Sequence, residues 1–351
     1  MHTTRLAVDA LHPAPALIAR AAALIRQGEL VAFPTETVYG LGANALDDAA
    51  VARIFVAKQR PTSDPLIVHI AALSQLDQVA CELPPIAFTL AQRFWPGPLT
   101  LVLPRHPRIP SNVSAGMDTV AIRMPDHPVA VALIAAAGVP IAAPSANRFT
   151  RPSSTTAQHV LDDLAGRVAM VVDGGPTRIG LESTIVSLLD ARPTLLRPGG
   201  VPIEDLRALL PDLMYEPRYL DLQAGERAAA PGMLLKHYAP DAELLLFRGP
   251  RAAVLAAMQR TGADRRAAGQ RVGMLLADED TALLGANAVA VVSLGSGANL
   301  AEVGARLFAG LRTLEGNVDV ILVRGFEQAG LGLAIWDRLL RATEGRIIDI
   351  S

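Results

Sequence analysis

Along the first two hundred residues, short unbroken apolar runs alternate with stretches whose apolar positions recur every three or four residues. Ala14 to Gln27 has the second pattern and predicts an amphipathic helix stopped by Gly28. LVAFP (30–34) predicts a short buried strand, followed by the polar turn TET and then VYGLGANA. Asp47 and Asp48 predict the cap of a helix reaching about Lys58. LIVHI (66–70), LTLVL (99–103), TVAIR (119–123), PIAA (140–143), VAMVVD (168–173), STIVSLL (183–189) and TLLR (194–197) predict strands. Helices are expected over 84–94, 129–137 and 155–165, the last capped by one of Ser153, Ser154 or Thr155. Mixed strands and helices, with late strands spaced for hairpins, predict an α/β domain around a mixed twisted sheet.

From Pro211 to about Pro240 no period is sustained, so an interdomain linker is expected there. Beyond it, strands at 243–247, 271–277, 288–294 and 319–325 alternate with helical patterns near 250–260, 299–314 and 331–343. That alternation predicts a smaller, Rossmann-like α/β domain with a parallel sheet. The expected division is 1–210, a linker over 211–240 whose residues 231–240 are expected to fold over the first domain's cavity as a lid, and 241–351.

Composition adds exclusions. The chain has 351 residues, 51% hydrophobic and 19% charged, which suits two packed domains. The most apolar stretch, Pro128 to Pro144, is too short and too interrupted by proline to span a bilayer. No basic segment followed by an apolar run opens the sequence, so no membrane association and a cytoplasmic chain are expected. A single cysteine, Cys81, rules out an intramolecular disulfide, and seven scattered histidines show no zinc spacing. The formal charge is −2, and residues 1–210 balance to zero, so stable nucleic-acid binding is not expected. Thirty of the 32 cations are Arg; the two lysines, Lys58 and Lys236, sit in the short motifs KQR and KHYAP. Lysine is a compact, rotatable point charge, unlike the planar arginine fork.

Five clusters fall where strands give way to loops, the usual ligand position in α/β sheets. FPTETVYGLG (33–42) offers two Thr hydroxyls, one carboxylate and two glycines. AKQRPTSDPLIVHI (57–70) sets Lys58 and Arg60 before a proline turn and His69 on the following strand; taken alone, His69 reads first as a satisfied core histidine. TVAIRMP (119–125) ends an apolar strand with Arg123, which requires an anionic partner: a ligand, or Asp126 or another acid. APSANRFTRPS (143–153) opens a Ser/Asn-rich loop before a helix, suited to phosphate or ribose oxygens. DGGPTRIGLESTIV (173–186) and LLRPGG (195–200) add Ser183, Thr184 and Arg197. There is no P-loop, no GxGxxG, and no Ser-His-Asp or Cys-His nucleophile arrangement. Lys58, Arg60, Arg123 and Arg197 with these hydroxyls predict a cavity for a polyanion such as a nucleoside triphosphate.

FPTETVYGLG, KQRPTSDPLIVHI, WPGPLTLVL, APSAN and LESTIV, in this order, resemble the YrdC-like family over about residues 15–207. The second domain and KHYAP resemble the two-domain threonylcarbamoyladenylate synthases. The resemblance implies a twisted sheet enclosing a deep cavity, where L-threonine, bicarbonate and ATP with Mg²⁺ become threonylcarbamoyl-AMP and pyrophosphate. It implies that a tRNA threonylcarbamoyl-transferase complex takes up the product, which modifies the adenosine next to the anticodon. It implies threonine contacts at Thr35, His69, Arg123, Ala143 and Ser183. It implies ATP contacts at Lys58, Arg60, Asp64, Thr119, Ser145, Asn147, Ser153, Arg197 and Tyr238, with Lys58 and Arg60 catalytic and Asn147 facing the nucleotide or its Mg²⁺. Asp64 departs from the amide common before Pro-Leu in the family, and a carboxylate beside phosphates repels them unless a metal intervenes. The alternatives are a non-enzymatic binder of structured RNA and a carbamoyl-transfer domain; the second belongs to larger chains with Cys-rich segments absent here.

Overall fold

The computed structural model of the chain describes residues 2–217, 230–231, 238–284 and 288–350. It divides into two compact units. The first comprises Met1–Phe149, Ser153–Arg178 and Glu182–Leu234; the second comprises Thr150–Pro152, Ile179–Leu181 and Leu235–Ser351. The stretch expected to open the linker begins instead as part of the first unit: Leu213 is buried, and Met214 exchanges backbone hydrogen bonds with Pro193 and Leu195.

The first unit is built on ten strands: β1 (Thr4–Ala7), β2 (Val31–Phe33), β3 (Gly40–Asn44), β4 (Ile67–His69), β5 (Leu99–Pro104), β6 (Thr119–Arg123), β7 (Ile141–Ala142), β8 (Met170–Asp173), β9 (Thr184–Ser187) and β10 (Thr194–Arg197). They form one mixed sheet in the order β1-β8-β2-β3-β7-β4-β6-β5-β9-β10. Its helices are α1 (Pro15–Arg26), α2 (Asp48–Lys58), α3 (Pro85–Phe94), α4 (Pro128–Ala137), α5 (Ala157–Leu164) and α6 (Ile203–Arg207). Asp47 caps α2 by accepting from Ala49 and Ala50. The cap of α5 is Thr156, whose hydroxyl accepts from His159 N, rather than any of the three residues expected. Ser153 and Ser154 instead donate to Glu182 and to the Ala146 carbonyl.

Two strands have no local signal. β3 reads GLGAN, a composition poor in strand formers, and it becomes a strand because β2 and β7 pair with it on both sides. β1 is only four residues long and is held by parallel pairing with β8.

α1 and α4 cover one face of the sheet. Ile18, Ala21, Ala22 and Ile25 of α1 and Val129, Ala130, Leu133 and Ile134 of α4 pack on Leu6, Val31, Phe33, Ile141 and Val172. Burying each of the larger side chains contributes about 1.5–3 kcal/mol. The register then carries this face onward. Ile141 lies opposite His69, and His69 lies opposite Arg123. Beyond β7, therefore, the face lined by an apolar core becomes a face that carries chemistry.

The second unit contains β11 (Glu243–Arg248), α7 (Arg251–Ala267), β12 (Val272–Leu276), α8 (Asp278–Leu284), β13 (Ala290–Ser293), α9 (Leu300–Leu314), β14 (Val320–Arg324), α10 (Gly332–Ala342) and β15 (Ile347–Asp349). The five strands are all parallel, in the order β13-β12-β14-β11-β15. Val320 to Val323 are fully buried, which gives the unbroken apolar runs seen in the sequence. α8 and β15 were not expected, being short and opened or closed by acidic residues. Among the described residues no helix is long and apolar enough to cross a membrane.

Candidate active site

Antiparallel and parallel registers fix which side chains share the face beyond β7. Ile67 and His69 of β4 stand opposite Ala121 and Arg123 of β6. Ala121 in turn faces Val102 of β5, and Val102 faces Ser187 of β9. Alternation along each strand therefore sorts the face into bands. His69, Arg123, Thr100 and Ser183 occupy one end, where the hydroxyls of Thr100 and Ser183 are 2.7 Å apart. Ile67, Val102, Ala121 and Ile185 form an apolar band with Ala230 and Leu196 packed on it. Thr119 and Ser187 lie at the other end, on the wall of a cavity of about 430 Å³ that also includes Met117, Leu195 and Leu196.

At the polar end Arg123 is 4% exposed, and its guanidinium is held at three points. Nη2 lies 2.7 Å from Glu36 Oε1, Nη1 donates to Thr37 Oγ1 at 2.9 Å, and Nε donates to the Gly97 carbonyl at 3.3 Å. The hydroxyl order is then determined. Thr35 donates to the Val38 carbonyl at 2.7 Å, so it accepts from Thr37, which in turn accepts from Arg123. Thr35 thus fastens the PTET turn as well as lining the site. The partner of Arg123 is Glu36, while Asp126 pairs at the surface with Arg178.

Glu36 was visible in the sequence only as the lone carboxylate of FPTETVYGLG. It is 1% exposed, and neither carboxylate oxygen accepts a well-aligned hydrogen bond among the described residues. The available signal was an acid in a flanking sequence too apolar to solvate it.

His69 is buried, packs edge-on to Phe33 at 6.3 Å, and places Nδ1 3.2 Å from the Ile67 carbonyl. Burial, reinforced by the positive charge of Arg123, pushes its pKa down to about 3. The imidazole is neutral at physiological pH, with its Nδ1 proton on Ile67. Ala143 gives its N–H to the same Ile67 carbonyl.

The KQR and SAN segments are joined. Lys58 is 1% exposed and donates to the carbonyls of Ser145 and Asn147, while the Phe149 N–H returns to the Lys58 carbonyl. Arg60 donates to the carbonyls of Asp64 and Pro65 and pairs with the Asp64 carboxylate at 2.8 Å. Asp64 is fully buried and its charge is offset by Arg60, which accounts for an acid at that position. The Ser145 side chain remains partly exposed, whereas Asn147 and Ser153 are buried.

Arg197 closes the far side. It donates to the Ser183 carbonyl through Nε and Nη2, to Ser183 Oγ at 3.2 Å, and to the Pro231 carbonyl at 3.0 Å. The loop after it approaches so closely that a Cβ on Gly199 would stand 2.4 Å from backbone atoms of Glu182, Ser183 and Thr184. Thirteen of the fourteen expected site residues belong to the first unit. Tyr238 belongs to the second, where its buried ring packs on Phe308 at 5.2 Å and under the Arg338 guanidinium. Lys236, with most of residues 231–240, lies outside the described residues.

The candidate site is thus built from buried cations and hydroxyls of the first unit. The family model Sua5_yciO_yrdC, described as telomere recombination, matches residues 23–199, and the model for the threonylcarbamoyl-AMP synthase C-terminal domain matches 201–343. The threonylcarbamoyl-AMP synthase of Pyrococcus abyssi is 46% identical over 331 residues, covering 94% of this chain and 95% of the relative. The Bacillus subtilis protein of the same name is 48% identical over 333 residues, covering 94% of each. The crystal structure of P. abyssi Sua5 complexed with L-threonine superposes with a TM-score of 0.93 at 45% identity, covering 99% of this chain and all of the other. Escherichia coli YciO matches with a TM-score of 0.51 at 25% identity, covering 56% of this chain. The chain belongs to the Sua5/YciO/YrdC family, in its two-domain Sua5 form.

Proposed function

We propose that this chain is a nucleotidyltransferase that condenses L-threonine, bicarbonate and ATP into L-threonylcarbamoyl-AMP and pyrophosphate. The observation that carries the reading is the banded sheet face: Arg123, His69 and Ser183 at one end, an apolar strip, and Thr119 at the other. The names of the relatives and the threonine bound to P. abyssi Sua5 support it. Arg123, fixed by Glu36 and Thr37, would take the threonine carboxylate. The neutral His69 and the hydroxyl of Ser183 would receive the remainder of the amino acid.

The chemistry requires positioning more than covalent participation. Threonine's ammonium and bicarbonate give a carbamate, one water and one proton. A carbamate oxygen then bonds to the α-phosphorus of ATP as the bond to pyrophosphate breaks. Such a transfer is accelerated by alignment and by fixed charge where negative charge develops. Lys58 and Arg60 would supply that charge, Arg197 would hold the nucleotide with Ser145, Asn147 and Ser153, and Mg²⁺ would enter with ATP as part of the substrate. Among the described residues no group of three or more acidic, His or Cys side chains could hold a metal unaided. The product would pass to a transferase acting on the adenosine beside the tRNA anticodon.

The test is incubation with ATP, Mg²⁺, bicarbonate and labelled threonine. Pyrophosphate should appear only when threonine and bicarbonate are both present, together with a labelled acyl-adenylate. Release of ADP and phosphate, or turnover indifferent to threonine, would overturn the reading.

A further inference from the structure

The second unit carries its own cavity, in a place the topology singles out. β14 and β11 are neighbours in the sheet, yet the chain leaves them in opposite directions. From β11 it passes through α7 to β12, beyond β14; from β14 it passes through α10 to β15, beyond β11. Such a divergence opens a crevice at the carboxyl ends of the two strands, where open parallel sheets take their ligands. A cavity of about 270 Å³ lies there, lined by Arg248 and Gly249 after β11, Arg251 at the start of α7, Arg324 and Phe326 after β14, and Trp336 of α10.

The arginines are held from behind. Asp280 is fully buried; its Oδ1 accepts from Nε and Nη2 of Arg251 at 2.9 and 2.6 Å, and its Oδ2 accepts from Nε of Arg324. Asp280 thus orients two guanidinium groups, Glu279 adds a second carboxylate 3.7 Å from Nη2 of Arg324, and Glu327 also lines the cavity. Arg248 is bidentate with Asp349 and lies over the Trp336 ring, and Arg324 lies over the Phe326 ring. Nη1 of Arg248 and Nη1 of Arg251 make no hydrogen bond among the described residues, and both side chains are half exposed. The 17-residue α7 begins at this cavity without a side-chain cap, so its first N–H groups and positive dipole end face it. The turn requires glycine: Gly249 has φ +144°, and a Cβ there would stand 2.0 Å from the Ile350 carbonyl oxygen.

We propose that this crevice binds a small phosphate-bearing molecule of mononucleotide size or less. Its phosphate would lie against Arg251, Arg248 and the α7 N-terminus, and its ring against the Trp336 and Phe326 side. The volume falls just under the usual range for ligand pockets, about 300–1,000 Å³, which excludes a dinucleotide. Arg supplies the planar, bidentate donors that phosphate recognition favours.

Hydrogen–deuterium exchange of the full chain, titrated with AMP and separately with inorganic phosphate, tests this. AMP should slow exchange in peptides covering 246–254 and 324–328, and phosphate should do so at concentrations at least about tenfold higher. Arg251→Glu should raise the half-saturating AMP concentration for those peptides at least about tenfold, and Arg251→Gln by less. Peptides covering 57–70 report the first unit separately, and their response should be the same in both variants as in the original chain. Absence of protection in the second unit, or protection unchanged in Arg251→Glu, would overturn the proposal. Equal potency of phosphate and AMP would overturn the ring-binding half of it.

Discussion

The two sheets of this protein use arginine in opposite ways. In the first unit Arg123 sits on a sheet face beneath a continuous core, 4% exposed, with every donor group directed at protein. In the second, Arg248 and Arg251 stand at strand ends, half exposed, each with one donor group turned away from its carboxylate. The mixed sheet places chemistry on its face because pairing across strands, parallel for β4 with β6 and for β5 with β9, brings distant residues side by side. The all-parallel sheet buries its central strands β12 and β14 on both faces, so polar groups there survive only where the strands stop. A face site is rigid and buried, and its ligand must replace water completely. An edge site is open and tolerates weaker, exchangeable binding.

That contrast can be broken experimentally. The largest expected effect is on the buried carboxylate of the edge site. Asp280→Ala leaves two arginines without their common partner and should lower stability by about 3–5 kcal/mol, the usual cost of breaking a buried pair; chemical denaturation measures it. If the loss is no greater than for a surface substitution, the edge cluster is not organised by Asp280.

Arg123→Ala should weaken threonine binding by about 2–5 kcal/mol, roughly 30- to several-thousand-fold, by calorimetry. ATP affinity should change far less. Glu36→Gln should reproduce part of that loss while the fold persists, since Arg123 then keeps neutral acceptors in place of a carboxylate. Unchanged threonine binding in Glu36→Gln would show that Glu36 merely neutralises Arg123.

The pH dependence sharpens the same point. His69 is neutral when folded, with its pKa near 3, whereas the unfolded chain takes up a proton below about pH 6.5. The unfolded state therefore binds more protons as pH falls below 6.5, and stability should decline by about 1.4 kcal/mol per pH unit toward pH 3 from this group alone. Above pH 6.5 both states are neutral at His69 and the contribution vanishes. His69→Asn should flatten the difference between stabilities measured at pH 7 and pH 5. His127, lowered by its own burial, leaves a residual slope of the same sign.

The smallest effect is Thr37→Val, which removes one hydroxyl link between Arg123 and Thr35. About 0.5–1.5 kcal/mol of stability should be lost. A larger loss of threonine affinity than of stability would show that the hydroxyl chain aims Arg123.

Much of this molecule follows from sequence by local physics. The apolar runs fix β4 to β6 and β11 to β14, and the helical period fixes α1, α3 and α9. The burial of Lys58, Arg60, Arg123 and Arg197 was legible because each follows or closes an apolar segment. Tertiary structure decided what local pattern could not carry. β3, with its two glycines, is a strand only through its neighbours. Met214 joins the first sheet through pairing rather than propensity. Glu36 rather than Asp126 partners Arg123, because pairing across strands brings residues 36 and 123 together while Asp126 is drawn to Arg178 at the surface. Asp280 and the crevice above β11 and β14 follow from the order of strands. Strand order is set by the summed burial of whole elements, and no window of neighbouring residues contains that sum.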